Sequence, residues 1–200
     1  MIVVVDYGMG NLRSVSKALE SVGAKTKVTS KPEDIISASA IVVPGVGAFR
    51  RGMDNLRKYG LSSVIIESIN KNKPFLGICL GLQLLFTESE EHGICKGLNI
   101  IEGNVRKFST QVKIPHMGWN QIKVKTTTLF DGIPDNSYFY FDHSYYVEPK
   151  DKNTVIATTE YGENFASAVN KDNVWGVQFH PEKSSTLGLK ILKNFAELTR

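Results

Sequence analysis

Cys79 stands between two glycines in Gly77-Ile78-Cys79-Leu80-Gly81; Lys73-Pro74-Phe75-Leu76 before it and Leu82-Gln83-Leu84-Leu85-Phe86 after it read as a short buried strand and a helix. A side chain held on such a turn crowds the positions two before and two after it, so both must be small. This is the spacing of a nucleophile elbow, with cysteine in place of serine. The thiol would face the positive end of the helix macrodipole, which favours thiolate, the nucleophilic form. The same residues also suit a small buried cysteine at a tight turn. A second group is His180-Pro181-Glu182, directly after the strand-like run Val174–Phe179. Pro181 disfavours the α region for His180, and in an extended chain residues two apart point to one side, which aims His180 and Glu182 together. An imidazole with a carboxylate beside it is the base and orienter of a nucleophilic triad. By itself the group also fits a strand-ending turn whose polar residues face solvent. Pro44-Gly45-Val46-Gly47 is the third group. Its glycines let a peptide change orientation, as an oxyanion hole of main-chain N–H groups requires. Pro44 has no N–H, so the donor must be Val46 or Gly47. A glycine-rich turn without function is the other reading of this loop.

These groups need elements to hold them. Ile2–Val5 reads as a strand, Asp6–Asn11 as a glycine-rich loop and Leu12–Val22, closed by Gly23, as an amphipathic helix. Gly8 and Gly10 begin a dinucleotide fingerprint, but Arg13 stands where its third glycine belongs, which argues against a nucleotide site. Thr26–Thr29 reads as an edge strand, Pro32–Ile36 as a short helix and Ala40–Val43 as a buried strand. The stretch after Phe49 reads as a polar segment, and Leu61–Asn70 as a helix. Strands and helices alternating in this way imply a parallel sheet wrapped on both faces, with ligands beyond the carboxyl ends of its strands. The loop at residues 44–49 and the Cys79 turn should therefore share one rim. From Gly97 the pattern changes to short strand-like runs at Leu98–Ile101, Val105–Phe108, Gln121–Val124, Tyr138–Phe141, Val155–Thr159, Phe165–Val169 and Val174–Phe179. These are expected to be antiparallel strands that extend or flank the first sheet. Ser185–Leu198 reads as a closing helix with Leu187, Ile191, Phe195 and Leu198 on one face. The expected fold is α/β: a flavodoxin-like, mixed, mostly parallel sheet with helices on both faces, plus antiparallel strands in the C-terminal half. No linker or repeat divides it, so one domain over residues 1–200 is expected.

Two hundred residues, 42% of them apolar, can build one core of ordinary density. The net charge is +4, yet Lys and Arg are scattered among acids and never form a basic run with interleaved aromatics, which argues against nucleic acid. No apolar run approaches the ~20 residues that would span a bilayer, and Met1–Asp6 lacks the basic region of a signal peptide. Cys79 and Cys95 are the only cysteines, without metal-ligand spacing. Reduced thiols in a cytoplasmic protein, and no metal, are expected.

Five motifs in order carry a resemblance that runs nearly end to end: Asp6-Tyr7-Gly8-Met9-Gly10-Asn11-Leu12, Pro44-Gly45-Val46-Gly47-Ala48-Phe49, Gly77 to Phe86, Pro115-His116-Met117-Gly118-Trp119-Asn120 and Phe179-His180-Pro181-Glu182-Lys183-Ser184. Together they resemble the glutaminase subunits of imidazole glycerol phosphate synthase, a family of class I triad glutamine amidotransferases. The resemblance implies glutamine hydrolysis through a γ-glutamyl thioester on Cys79, with His180 as base and acid and Glu182 as its orienter. It implies an oxyanion hole from the N–H groups of Val46 and Leu80. Glutamine would be bound by Gln83, Gly47 and the main chain of Ser144 and Tyr145. No cofactor is implied. The implied partner is a (β/α)₈-barrel cyclase subunit that receives the ammonia in a heterodimer, in histidine biosynthesis. Asn11, Met117, Trp119, Tyr140 and Lys183 resemble positions facing that partner; for Trp119 a buried core aromatic is the competing reading. Asp142 departs from the family, which more often has an apolar residue there. A paralogue feeding ammonia to an anthranilate-type or surface-polysaccharide synthase is therefore the alternative, and a redox module with Cys79 as its sensor is a more distant one.

Overall fold

The computed structural model describes residues 1–109 and 112–199. In chain order the first half runs β1 (Ile2–Val5), α1 (Leu12–Ser21), β2 (Thr26–Thr29), α2 (Pro32–Ser37), β3 (Ala40–Gly45), α3 (Phe49–Lys58), α4 (Leu61–Asn70), β4 (Phe75–Cys79) and α5 (Leu80–Gln83). β1, β3 and β4 are buried at every position. Such strands must be apolar on both faces, and their runs are. Ile2, Val4, Val42 and Leu76 share one core with Val15 and Leu19 of α1, whereas Val3, Val5, Ile41 and Phe75 share another with Met53, Leu56 and Ile65 of α3 and α4. Alternation along the strand thus feeds two layers of helix.

The second half supplies β5 (Phe86–Ser89), β6 (Cys95–Lys96), β7 (Ile101–Lys107), β8 (His116–Val124), β9 (Ser137–His143), β10 (Tyr145–Pro149), β11 (Val155–Glu160), β12 (Asn164–Lys171), β13 (Val174–Val177) and α6 (Ser185–Glu197). The sheet order is β2-β1-β3-β4-β13-β12-β10-β7-β5-β6, with β11, β8 and β9 branching from β12. Every pair from β2 to β13 is parallel, in the flavodoxin-like order, and from β13 to β7 the pairs are antiparallel. The C-terminal strands therefore both extend the sheet and flank it, as expected.

Three local readings are corrected. The stretch after Phe49 is not an irregular polar segment but α3, which buries Phe49, Gly52, Met53 and Leu56. Their i, i+3, i+4, i+7 spacing was masked by five charged neighbours among Arg50, Arg51, Asp54, Arg57 and Lys58. The helix after Cys79 is a single turn of 4 residues. Beyond it, the carbonyls of Leu84, Leu85 and Phe86 accept from the N–H groups of Leu98, Ile100 and Asn99, so strand-like pairing with a distant segment displaces helix. That same pairing keeps Leu98–Ile100 out of β7. β5, β6 and β10 had no expected counterpart; Tyr145–Pro149 contains only two buried residues, too little alternation to mark a strand.

Candidate active site

Cys79 ends β4 with φ +54° and ψ −107°. A non-glycine residue held there stores about 1–3 kcal/mol, a strain that clusters at functional positions. The elbow requires both its glycines: a Cβ on Gly77 would lie 2.6 Å from the Gly81 carbonyl oxygen, and one on Gly81 would overlap the Val43 carbonyl. A one-turn helix carries little macrodipole. The support for a thiolate must therefore come from side chains.

The parallel register delivers them. Gly45 of β3 lies opposite Cys79, and on the other side Val177 of β13 lies opposite Ile78, so Gln178 and then His180 emerge beside the sulfur. His180 is extended, at φ −100° and ψ 96°, as Pro181 demands, but Pro181–Lys183 then closes a 3₁₀ turn. The turn, rather than a shared face of an extended chain, brings Glu182 back to the ring. His180 Nδ1–H donates to Glu182 Oε1 at 2.8 Å, with both side chains all but sealed from solvent. Nε2 is buried and, among the described residues, has no hydrogen-bond partner, leaving it free for proton transfer. Burial pulls the ring's pKa down, but Cys79 and Glu182 outweigh it and push the value up to about 10. At neutral pH the ring is thus an imidazolium beside the sulfur, the setting that favours thiolate.

A cavity of about 340 Å³ opens over the sulfur, lined among others by Gly47, Leu80, Gln83, Ser144 and Tyr145. This is the small end of ligand pockets, the size for a single amino acid. Leu80 is the first residue of α5, so its N–H has no partner within the helix and is available to an oxyanion. Val46 is 41% exposed and stands on the rim, outside the lining. Gln83 donates through Nε2 to the Tyr145 carbonyl at 3.0 Å and to Gln178 Oε1 at 3.2 Å, which leaves its Oε1 to offer. Three more residues belong here that sequence reading missed. Glu91 lines the cavity and accepts the Phe49 N–H at the start of α3, at 2.6 Å. Gln178 points its Nε2 at Cys79 Sγ, 3.6 Å away. His143 lines the wall, donating Nδ1–H to the Tyr145 carbonyl at 2.8 Å. Only the register and the loop packing reveal them.

The β8–β9 ladder pairs Met117 with Asp142, Trp119 with Tyr140 and Gln121 with Tyr138. Met117, Trp119 and Tyr138 are each more than half exposed, which removes the core reading of Trp119. Lys183 Nζ lies 5.3 Å over the Tyr140 ring, on the same surface. Asn11, also exposed, caps α1 by accepting the Ser14 N–H. Asp142 joins the two regions: it lines the cavity and faces Met117 across the ladder, and its carbonyl is 3.7 Å from Cys79 Sγ. Among the described residues no group of His, Cys, Asp and Glu is arranged to hold a metal.

The sequence profile of the family described as "Glutamine amidotransferase class-I" matches residues 3–198. The chain belongs to the class-I glutamine amidotransferase family. Among its curated relatives, "Imidazole glycerol phosphate synthase subunit HisH" of Moorella thermoacetica is 50% identical over 200 residues, covering 100% of this chain and 95% of the relative. The proteins of the same name from Methanocaldococcus jannaschii and Aquifex aeolicus are 52% and 53% identical, over 99% and 96% of this chain and 100% and 94% of theirs. Among solved structures, "Crystal structure of glutamine amidotransferase" superposes with a TM-score of 0.79 at 21% identity, over 100% of this chain and 99% of that one. "Structure of PurLQS from Thermotoga maritima" gives 0.76 at 20%, over 100% and 98%. At those identities the likeness is one of fold.

Behind the amidotransferase site lies a buried histidine pair. His116 Nδ1 and His143 Nε2 are 3.0 Å apart. Burial lowers the pKa of His116 to about 4; burial, outweighing the Tyr145 carbonyl and joined by His116 and His180, lowers that of His143 to about 3. Both values lie below the unfolded value near 6.5, so unfolding takes up protons as pH falls below it. His180, raised in the fold, partly offsets this from pH 7 down to about pH 5.5, where the unfolded ring is not yet fully protonated, and adds nothing further below that. Stability is therefore expected to decline from about pH 6.5 towards pH 4, by up to about 1.4 kcal/mol per proton per pH unit. Denaturant unfolding at pH 7, 6 and 5 measures the slope; imidazole resonances of His116 and His143 titrating near 6.5 in the folded protein would contradict it.

Proposed function

We propose that this amidotransferase, as one domain over residues 1–200, is the glutaminase subunit of imidazole glycerol phosphate synthase. It passes ammonia to a (β/α)₈-barrel cyclase in a heterodimer that makes imidazole glycerol phosphate and aminoimidazole carboxamide ribotide in cytoplasmic histidine biosynthesis. The observation that carries this reading is full-length identity near 50% to relatives of that name in bacteria and an archaeon. One feature supports it. The exposed Met117–Trp119–Tyr138 face, with Tyr140 and Lys183, has the aromatic character of an interface core and meets the cavity at Asp142, a short path for ammonia. No described helix is long and apolar enough to cross a membrane.

The chemistry follows from the site. Cys79 thiolate attacks the glutamine γ-carbonyl carbon; a C–S bond forms and the carbonyl electrons move to an oxygen held by Leu80 N–H and, once turned inwards, Val46 N–H. Collapse breaks the C–N bond, and His180 gives its proton to the departing ammonia. Neutral His180 then takes a proton from water, whose oxygen attacks the thioester. The C–S bond breaks, the thiolate returns and glutamate leaves. Glu91 and Gln83 Oε1 are both acceptors, suited to the substrate's α-ammonium group.

With Val46 on the rim, the isolated chain is expected to be a poor glutaminase, switched on when the nucleotide-loaded cyclase turns the loop. An oxyanion donor is worth on the order of 10²–10³ in turnover. Glutamate release is to be compared for the chain alone, for the complex with cyclase, and for the complex with the cyclase's nucleotide ligand. Equal rates in all three would overturn the switch; activation by an anthranilate-type or polysaccharide synthase in place of the cyclase would overturn the pathway.

A further inference from the structure

A polar chain crosses the floor of the site, and its direction is set by one atom. The Tyr145 carbonyl oxygen can only accept, and it receives two donors: His143 Nδ1–H and Gln83 Nε2–H. On the first branch, His143 Nε2 must then be an acceptor, so His116 donates through Nδ1. His116 Nε2 accepts in turn from Asn120 Nδ2, at 3.2 Å. On the second branch, the other hydrogen of Gln83 Nε2 goes to Gln178 Oε1, which turns Gln178 Nε2 towards Cys79 Sγ at 3.6 Å. Gln178 is fully buried and its Oε1 is held by Gln83 Nε2, so its side-chain amide has little freedom to turn. Neither branch can reverse without facing two donors or two acceptors at each other.

We propose that Gln178 is a further functional residue of glutamine hydrolysis, donating a hydrogen bond to the Cys79 sulfur whenever that sulfur carries negative charge. The sulfur lies between two groups of opposite demand. The Asp142 carbonyl, 3.7 Å away, accepts only and favours S–H, whereas the Gln178 amide donates only and favours S⁻. His180 and the buried Tyr7 phenol also face the sulfur, so removing Gln178 leaves His180 alone against the carbonyl and shifts the group towards thiol. The donor acts twice in the cycle. It holds the attacking thiolate before the C–S bond forms, and it receives the thiolate again when that bond breaks in hydrolysis of the thioester. Its position one residue beyond β13 follows from the register that places Val177 opposite Ile78.

This deepens the glutaminase reading, but its test needs no glutamine. Gln178→Met keeps length and volume and removes the donor; Gln178→Glu keeps the shape and presents an acceptor. Alkylation of the full chain by iodoacetamide is to be followed from pH 5 to 10 by peptide mass spectrometry, with buried Cys95 as an internal gauge of fold. In either variant the Cys79 rate at pH 7 is expected to fall about tenfold, to regain the parental rate at high pH, and so to show a profile displaced upwards. In the complex, kcat should fall at least tenfold with KM little changed. A Cys79 profile that superposes on the parent's, with Cys95 equally protected, overturns the proposal. Should Gln178→Met expose Cys95, Gln178→Glu decides. A displaced profile in a chain that fails to hydrolyse glutamine would preserve the sulfur contact and refute the substrate instead.

Discussion

A Cys79→Ala variant is expected to lose glutamine hydrolysis by on the order of 10⁶ in turnover, the loss seen when a triad nucleophile is removed, while the complex keeps ammonia-dependent synthesis within about twofold of the parent. The fold tolerates the change because Cys79 is 4% exposed and the substitution removes only the sulfur at the turn, keeping the Cβ. Its positive φ is no harder for alanine than for cysteine. The elbow glycines Gly77 and Gly81 are untouched, so the rim and the face around Met117 and Trp119 remain for the partner. Cys95, in β6 at the far edge of the sheet, serves as the control, and Cys95→Ala should leave both activities as they were. The measurement is glutamate release and ammonia-dependent product formation by the same preparation. Retention of more than about 1% of glutaminase turnover would remove Cys79 as the nucleophile, since no other triad member can replace it.

Much of this site was legible in the sequence because its parts are local. Gly77, Cys79 and Gly81 meet across one turn, and His180 and Glu182 across another, so spacing alone announces them. The parallel half was equally plain: strands buried on both faces must be apolar throughout, and Ile2–Val5, Ala40–Val43 and Phe75–Ile78 are. What escaped depends on contacts between distant segments. The length of α5 is decided by Leu98–Ile100, and α3 by an apolar stripe hidden among charges. Gln178 reads as one more residue of an apolar strand until the register sets it beside Cys79. The loop offers a similar lesson. Gly45→Pro looks from sequence like a way to lock the oxyanion peptide, but a Cβ there would overlap the buried Tyr7 hydroxyl and approach Leu80 Cβ to 2.9 Å. Tyr7, in a motif that reads as a loop, is the floor under Gly45.

The second large effect separates proton transfer from orientation. His180→Ala is expected to match the loss in Cys79→Ala, on the order of 10⁶, because the ring gives its proton to ammonia in the first half of the reaction and takes one from water in the second. Glu182→Gln should be milder, on the order of 10⁴. The glutamine can still accept from Nδ1–H through its amide oxygen, so the tautomer and the 2.8 Å contact survive. What goes is the charge. With Glu182 neutral, Cys79 alone holds the imidazolium up against burial, and the ring's pKa must fall from about 10. The thiolate then loses part of its counter-ion, and the acid that protonates ammonia becomes scarcer as pH rises, so the alkaline limb of the rate profile should move to lower pH in Glu182→Gln. Glutamate release across pH 6 to 10 and the His180 imidazole resonance read both consequences. A larger loss in Glu182→Gln than in His180→Ala, with both variants folded, would reverse the two roles. An unmoved alkaline limb would show that the carboxylate positions the ring without governing its charge.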